Sequence, residues 1–393
     1  MTLGKSPALP APPAELLGYS EELVGRIREE VARAGGWIGF DRYMQIALYE
    51  PGLGYYVSGL QKFGAAGDFI TAPELGGLFA ACIARQCAEV LGHLGGGVIL
   101  EFGAGSGALA AGILDYLGRQ GCLPERYLIL EPSAELRARQ RRAVAACGEG
   151  LLDCVEWLDR LPQPGLRGVV LANEVLDAMP AMRFLAGGDG GAVELGVAHG
   201  EAGFEWALPP SGQALSAECI DRIRTAGFDA GYVSEIGLQA EAWVETVGGL
   251  LDAGLMLLVD YGFPRREFYH PDRRAGTLMC HYRHHAHGDP FLWPGLQDIT
   301  AHVDFTAIAK AGVRAGLEVA GYATQGAFLL SLGLTELPEL SAAEGVEQLK
   351  LAQEIKKLTL PHEMGELFKV IALSRALEPP LAGFRMQDRR RRL

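Results

Sequence analysis

Short, uninterrupted apolar runs separated by stretches with apolar residues three and four apart organise the middle of the chain. The runs are Val98-Ile-Leu100, Tyr127-Leu-Ile-Leu130, Val169-Val-Leu171 and Leu255-Met-Leu-Leu-Val259. Each is too short for a helix and lacks polar alternation, the pattern of a strand buried on both faces. Residues 109–119 and 235–251 lie between such runs and have helical spacing. This alternation predicts a largely parallel sheet covered by helices on both sides, an α/β fold. A further strand is expected near Val155-Glu-Trp157-Leu158, with late strands at Leu317-Glu-Val-Ala-Gly-Tyr322 and Phe368-Lys-Val-Ile-Ala-Leu373 and a helix around 341–358. Upstream, apolar residues at 75, 78, 79, 82, 83, 87, 90 and 91 predict a helix with one buried face, ended by Gly95-Gly-Gly97.

Two stretches depart from the rhythm. Residues 181–233 contain Ala186-Gly-Gly-Asp-Gly-Gly191 followed by alternating Val193-Glu-Leu-Gly-Val197 and Phe204-Glu-Trp206, which reads as an appended hairpin. Residues 262–305 are rich in aromatics, His, Arg and Pro without a period, and read as a long ordered loop or lid. The expected plan is therefore a helical cap (1–95), a core (96–261 and 306–378) with the hairpin insertion 181–233, a substrate-side lid (262–305) and a tail (379–393).

At 393 residues, 49% hydrophobic and 21% charged, the chain is an ordinary globular protein with room for a large core. Its 53 glycines, about 13%, are nearly twice the usual ~7% and announce many tight turns. The net charge of −13 argues against wrapping nucleic acid, which needs clustered cations. The Arg389-Arg-Arg-Arg392 run reads as a solvated, frayed end. Seven cysteines without a C-x-x-C pair indicate free thiols in a reducing compartment. The first thirty residues carry prolines and then acids, unlike a secretory or transit segment. Residues 75–100 include Arg85, Glu89 and His93, so no membrane span is expected there. A cytoplasmic protein is the expectation.

The first strand runs into Glu101-Phe-Gly103-Ala-Gly105-Ser-Gly107-Ala108 and then a helix. Glycines at a strand-to-helix junction let the backbone approach a ligand while the helix N-terminus offers free N–H groups. The same residues fit G-x-G-x-x-A, so a dinucleotide and a nucleoside cofactor both stay open. Glu131, ending the second strand, is placed to accept hydrogen bonds from ribose hydroxyls in either case. Trp157 and Leu158 offer apolar surface for an adenine ring. The fourth strand ends in Ala172-Asn173-Glu174-Val-Leu-Asp177-Ala-Met-Pro180. Strand C-termini line the ligand crevice in open α/β sheets, which puts Asn173, Glu174 and Asp177 toward the reactive end. An ordinary helix N-cap or first-turn acid is the alternative for both carboxylates.

Five blocks in order resemble the MidA family of class I S-adenosylmethionine-dependent methyltransferases. They are Gly67-Asp-Phe-Ile-Thr71-Ala-Pro-Glu74, Glu101-Phe-Gly-Ala-Gly-Ser-Gly107, Ala172-Asn-Glu-Val-Leu-Asp-Ala-Met-Pro180, Val259-Asp-Tyr-Gly-Phe263 and Gly295-Leu-Gln-Asp-Ile-Thr-Ala-His-Val-Asp-Phe305. The likeness spans residues 20 to 375 approximately. It implies a Rossmann-like, seven-stranded core whose late strands form the closing pair. It also implies S-adenosyl-L-methionine as cofactor, and an arginine on a protein, a complex I subunit in the mitochondrial members, as substrate. By resemblance the 67–74 segment folds over the donor, with Asp68, Phe69 and Thr71 as contacts; the plainer reading makes Thr71 a helix cap.

Methyl transfer gives the acids a purpose. The guanidinium has pKa ~12 or higher, and paired carboxylates can grip it while polarising the attacking nitrogen. Glu174 and Asp177 are assigned that part; His302 and Asp304 are secondary candidates for handling the substrate proton. Cofactor contacts are expected from Gly103, Gly105, Gly107, Glu101, Glu131, Asp68, Phe69, Thr71, Trp157, Leu158 and Asn173. Six of the nine histidines lie between 270 and 302, but the pair His281 and His284 lacks the partners a zinc site needs, so no metal is expected. The competing readings are a nicotinamide-dependent oxidoreductase, which leaves the 173–177 cluster without a task, and a non-catalytic assembly factor that keeps the cofactor fold. The oligomeric state stays open.

Overall fold

A computed structural model of the chain describes residues 9–57, 71–187, 191–210, 215–378 and 380–393. It divides into two compact units, one of Ile70–Leu176, Glu241–Pro264 and Phe305–Leu393, the other of Met1–Phe69, Asp177–Ala240 and Arg265–Asp304. We call these the sheet unit and the insert unit. Among the described residues no helix is long and apolar enough to cross a membrane.

The sheet unit contains all seven expected strands: β1 (Val98–Phe102), β2 (Arg126–Leu130), β3 (Val155–Leu158), β4 (Leu166–Asn173), β5 (Leu251–Phe263), β6 (Glu318–Thr324) and β7 (Phe368–Arg375). Their order is β3-β2-β1-β4-β5-β7-β6. The first five are parallel, and β7 runs antiparallel to both neighbours. This is the sheet expected of a class I methyltransferase. The register pairs Phe102 with Leu130 and Ala172, Leu130 with Leu158, and Asn173 with Val259, so the C-terminal ends of five strands share one rim.

The apolar runs form strands because both faces are covered: Ile99, Leu100, Val169, Val170, Leu255 and Leu258 are fully buried. Helix α1 (Leu78–Leu94) and helix α2 (Ala108–Arg119) contribute Phe79, Cys82, Ile83, Ile113, Leu114 and Leu117 to the same core. Burying side chains of this size is worth roughly 1.5–3 kcal/mol each. Helix α1 thus belongs to the sheet unit, and the cap expected over 1–95 ends earlier.

Part of the tail bonds to the sheet. β6 is an edge strand, and an open edge leaves backbone groups to be covered. Gln387 Oε1 accepts the Thr324 N–H at 3.1 Å, the Arg389 N–H donates to Tyr322 O at 2.6 Å, and Arg390 Nη1 donates to Val319 O at 2.9 Å. Arg389 and Arg390, at the start of the run read as frayed, therefore bond to that edge, while Arg390, Arg391 and Arg392 are exposed as a solvated run would be.

Among its described residues the insert unit holds three small antiparallel sheets. A hairpin is present as Gly196–Gly200 and Gly203–Ala207, but with Ile38–Gly39 it forms a sheet of its own instead of extending the main one, and the alternating run 193–197 is divided between this sheet and the next. Met182–Ala186 pairs with both Ala192–Glu194 and Val233–Ile236. The stretch read as an aperiodic lid carries the third sheet, Met279–Tyr282 flanked by His285–His287 and Asp298–Thr300. Helices Ala14–Arg33 and Phe40–Tyr49 share one core with these segments through Leu23, Ile27, Tyr43, Met44, Val197 and Ile299. Cap, insertion and lid are therefore one unit rather than three appendages.

Candidate functional site

The loop after β1 is shaped by glycine. Gly103, Gly105 and Gly107 have φ of 66°, 52° and 87°, the left-handed region that side chains disfavour. A Cβ on Gly107 would lie 2.8 Å from the Gln140 backbone, and one on Gly103 would lie 2.6 Å from Val175 Cγ2. The loop therefore presents bare backbone at the rim, with Gly107 opening α2. Ser106 donates its hydroxyl to Glu74, which fastens the block ending at Glu74 to the loop. Thr71 stands at the N-cap of Ala72–Leu75 but its side chain makes no capping bond. Asp68 and Phe69 lie outside the described residues.

Glu101 and Glu131 end neighbouring strands in different surroundings. Glu101 is 2% exposed and accepts the Tyr127 hydroxyl at 2.7 Å. Burial pushes its carboxyl up to about 7, against the pull of that bond. It is a buried carboxyl beneath the loop. Glu131 lies just past β2 and accepts the Ser133 N–H at 2.9 Å on Oε1 and the Gln140 amide at 3.2 Å on Oε2. Burial also raises it, with those two bonds opposing. An ionised carboxylate has about four acceptor positions, so two hydrogen bonds leave capacity for ribose hydroxyls. On β3, Trp157 donates its indole N–H to Gln140 Oε1 at 2.9 Å, and the Arg141 guanidinium covers one ring face at 4.4 Å. Leu158 accepts the Glu131 N–H at 3.1 Å.

At the end of β4, Asn173 donates Nδ2 to Glu174 Oε1 at 3.1 Å, while its own Oδ1 is buried without a hydrogen-bond partner among the described residues. Glu174 has φ of 54°, a left-handed conformation in a residue that pays for it. The turn is anchored by Asp260 on β5, whose Oδ2 accepts the Val175 and Leu176 N–H groups at 3.2 and 2.9 Å. No helix follows β4. Bends and a turn occupy 174–179, so the helix-cap alternative for Glu174 and Asp177 falls away.

The remaining candidates belong to the insert unit. Asp177 is 5% exposed, and its backbone oxygen accepts the Ala301 N–H at 3.0 Å. The phenol groups of Tyr49 and Tyr56 are raised, first by desolvation and then by charges that include Asp298 and Asp177. Tyr56 donates to Asp298 at 2.9 Å. Asp304 is already engaged by the chain's own guanidinium: Arg265 Nε and Nη2 meet its Oδ2 at 2.8 and 2.7 Å. The His302 N–H donates to Thr277 Oγ1 at 3.2 Å. Among the described residues no three His, Cys, Asp or Glu side chains are grouped to hold a metal ion.

Gln140, Asp260 and Glu74 were not singled out from the sequence. The last two lie inside quoted blocks; Gln140 sits in an arginine-rich helix with no signal of its own.

The rim fits S-adenosyl-L-methionine: positive-φ glycines that exclude a Cβ, and a buried acid with spare acceptor positions. A family model for S-adenosyl-L-methionine-dependent methyltransferases, Methyltransf_28, matches residues 82–323. A crystal structure of a COG1565 superfamily member from Burkholderia thailandensis bound to S-adenosyl-homocysteine is 47% identical with a TM-score of 0.93, covering 98% of this chain and 100% of that one. The "Protein arginine methyltransferase NDUFAF7 homolog, mitochondrial" of Drosophila melanogaster is 27% identical over 384 residues, 89% of this chain and 84% of that protein. The Danio rerio protein arginine methyltransferase NDUFAF7 is 26% identical over 371 residues, 86% of this chain and 84% of its own length. With the sheet order, the glycine loop and the acid at the end of β2, these matches establish that the chain belongs to the Methyltransf_28 family of S-adenosyl-L-methionine-dependent methyltransferases.

Proposed function

We propose that the enzyme methylates an arginine ω-nitrogen of a protein, with a respiratory complex I subunit as the first candidate substrate. Bound at the rim, S-adenosyl-L-methionine supplies an activated methyl group; the chain's own task is to grip the guanidinium and steer the loss of its proton. The observation that carries this reading is Glu174, a carboxylate held in a left-handed backbone at the end of β4, where glycine would be more comfortable. Strain kept at a residue with a charged side chain supports a use for that side chain. Asp177, three residues further along, is the second carboxylate assigned to the guanidinium. His302 is retained as a candidate for the proton, and Asp304, engaged by Arg265, as a residue that positions its surroundings.

The names of the curated relatives support arginine as the target class. All seven cysteines are free, which supports a reducing compartment, and we read the protein as cytoplasmic. The test is incubation of the full chain with isotopically labelled donor and complex I subunits, followed by peptide mass spectrometry. Label on arginine, lost with Glu174→Gln, is expected; label only on other residue types would overturn the reading.

A further inference from the structure

Gln140 is fully buried in helix α3 (Ala134–Cys147), a helix with four arginines in which Val144 is the only other buried residue. A buried amide is costly unless its hydrogen bonds are made. Here both ends are used. Nε2 donates to Gly105 O at 3.1 Å and to Glu131 Oε2 at 3.2 Å, and Oε1 accepts the Trp157 indole N–H at 2.9 Å.

The three partners lie on three pieces of the rim: the glycine loop after β1, the acid after β2, and the aromatic on β3. They also fix which way the amide points. A turned amide would aim its oxygen at a carbonyl and a carboxylate, and its N–H groups at an indole N–H. The same helix face reinforces the arrangement. Arg137, three residues earlier, donates to the Glu131 carbonyl and to Asp159, and Arg141 covers the Trp157 ring. A Cβ on Gly107 would meet Gln140 Cα at 2.8 Å, so helix and loop are in close contact.

We infer that Gln140 is a positioning residue for donor recognition: its amide fixes the Glu131 carboxylate in the orientation that reads the ribose, and ties the glycine loop and Trp157 to the same point. Oε1 of Glu131 is held by the Ser133 N–H and Oε2 by Gln140, so the carboxylate plane is set from both sides. Without the amide, one oxygen loses its tether and the carboxylate can rotate away from the hydroxyls. The inference rests on the assignment of Glu131 to the ribose.

The test uses calorimetric titration of the full chain with S-adenosylhomocysteine and with its analogue lacking the ribose hydroxyls. The readout is the ratio of the two affinities, which a residue serving stability alone would not move. The wild-type protein is expected to prefer the hydroxylated ligand, and Glu131→Gln to lose most of that preference. Gln140→Leu, which removes all three bonds, should weaken S-adenosylhomocysteine by about tenfold and collapse the ratio. Gln140→Glu is near-isosteric, keeps an acceptor for Trp157 and deletes both donors. It should collapse the ratio as well, and it decides the matter if the leucine variant fails to fold. A wild-type ratio in a folded Gln140 variant, with the Glu131→Gln ratio lost, overturns the role of Gln140 alone. An unchanged ratio in Glu131→Gln overturns the ribose assignment and this inference with it.

Discussion

The two halves of the sheet rim solve one backbone problem in opposite ways. On the β1 side the chain turns through left-handed conformations at Gly103, Gly105 and Gly107; on the β4 side it does so at Glu174. A left-handed residue with a side chain costs roughly 1–2 kcal/mol. Glycine removes that cost where the backbone itself must approach a ligand and a side chain would be in the way. At β4 the role we propose belongs to the side chain, and the strain is offset by anchors: the Glu174 N–H to Val259 O, and Asp260 to the next two N–H groups. The two halves also interlock, since Val175 fills the space that a Cβ on Gly103 would take. The difference teaches which part of each residue does the work.

Substitutions on the two sides of the rim should behave differently. The largest effect is expected from Glu174→Gln, which keeps an acceptor for Asn173 but loses the charge. Methyl transfer should fall by roughly 10²–10³ while S-adenosylhomocysteine affinity, read by calorimetry, changes little.

Next comes the acid beneath the loop. The folded-state value of Glu101, about 7, lies above its ordinary 4.5, so the folded protein holds the proton longer than the unfolded chain. Stability from this group is full below about 4.5 and declines as pH rises toward about 7, by about 3 kcal/mol. Denaturant titrations should show that slope in the wild type and a flattened one in Glu101→Gln.

Gly107→Ala should cost about 2 kcal/mol and weaken S-adenosylhomocysteine, because its Cβ meets helix backbone at 2.8 Å. Gly103→Ala should cost less, since it meets a side-chain methyl that can turn. The smallest effect has the opposite sign: Glu174→Gly should raise stability by about 1 kcal/mol, seen as a higher melting temperature.

The parts that were legible in the sequence share a cause. β1, β2, β4 and β5 are covered on both faces, so their apolar runs leave no ambiguity of period, and the glycine loop follows directly from the first of them. Glu131 could be placed because a strand end fixes position. Gln140 could not: Arg137, Arg139, Arg141 and Arg142 surround it in sequence, and its burial is set by contacts with residues 17 to 35 positions away. In the insert unit only the hairpin shows its alternation in sequence; strands of two to four residues, such as Ile38–Gly39, His285–His287 and Asp298–Thr300, are too short for a period of two to register. The turn after β4 was not legible either, because Asp260 holds it through a contact more than eighty residues away in sequence.

The measurement that bears most directly on the central claim is labelled methyl transfer by the Glu174→Gly protein at saturating donor, with its S-adenosylhomocysteine affinity taken on the same sample. The account predicts a more stable protein that binds S-adenosylhomocysteine about as well as the wild type and transfers almost no methyl. Wild-type transfer by that variant would contradict it, because the strained carboxylate would then have no part in the chemistry.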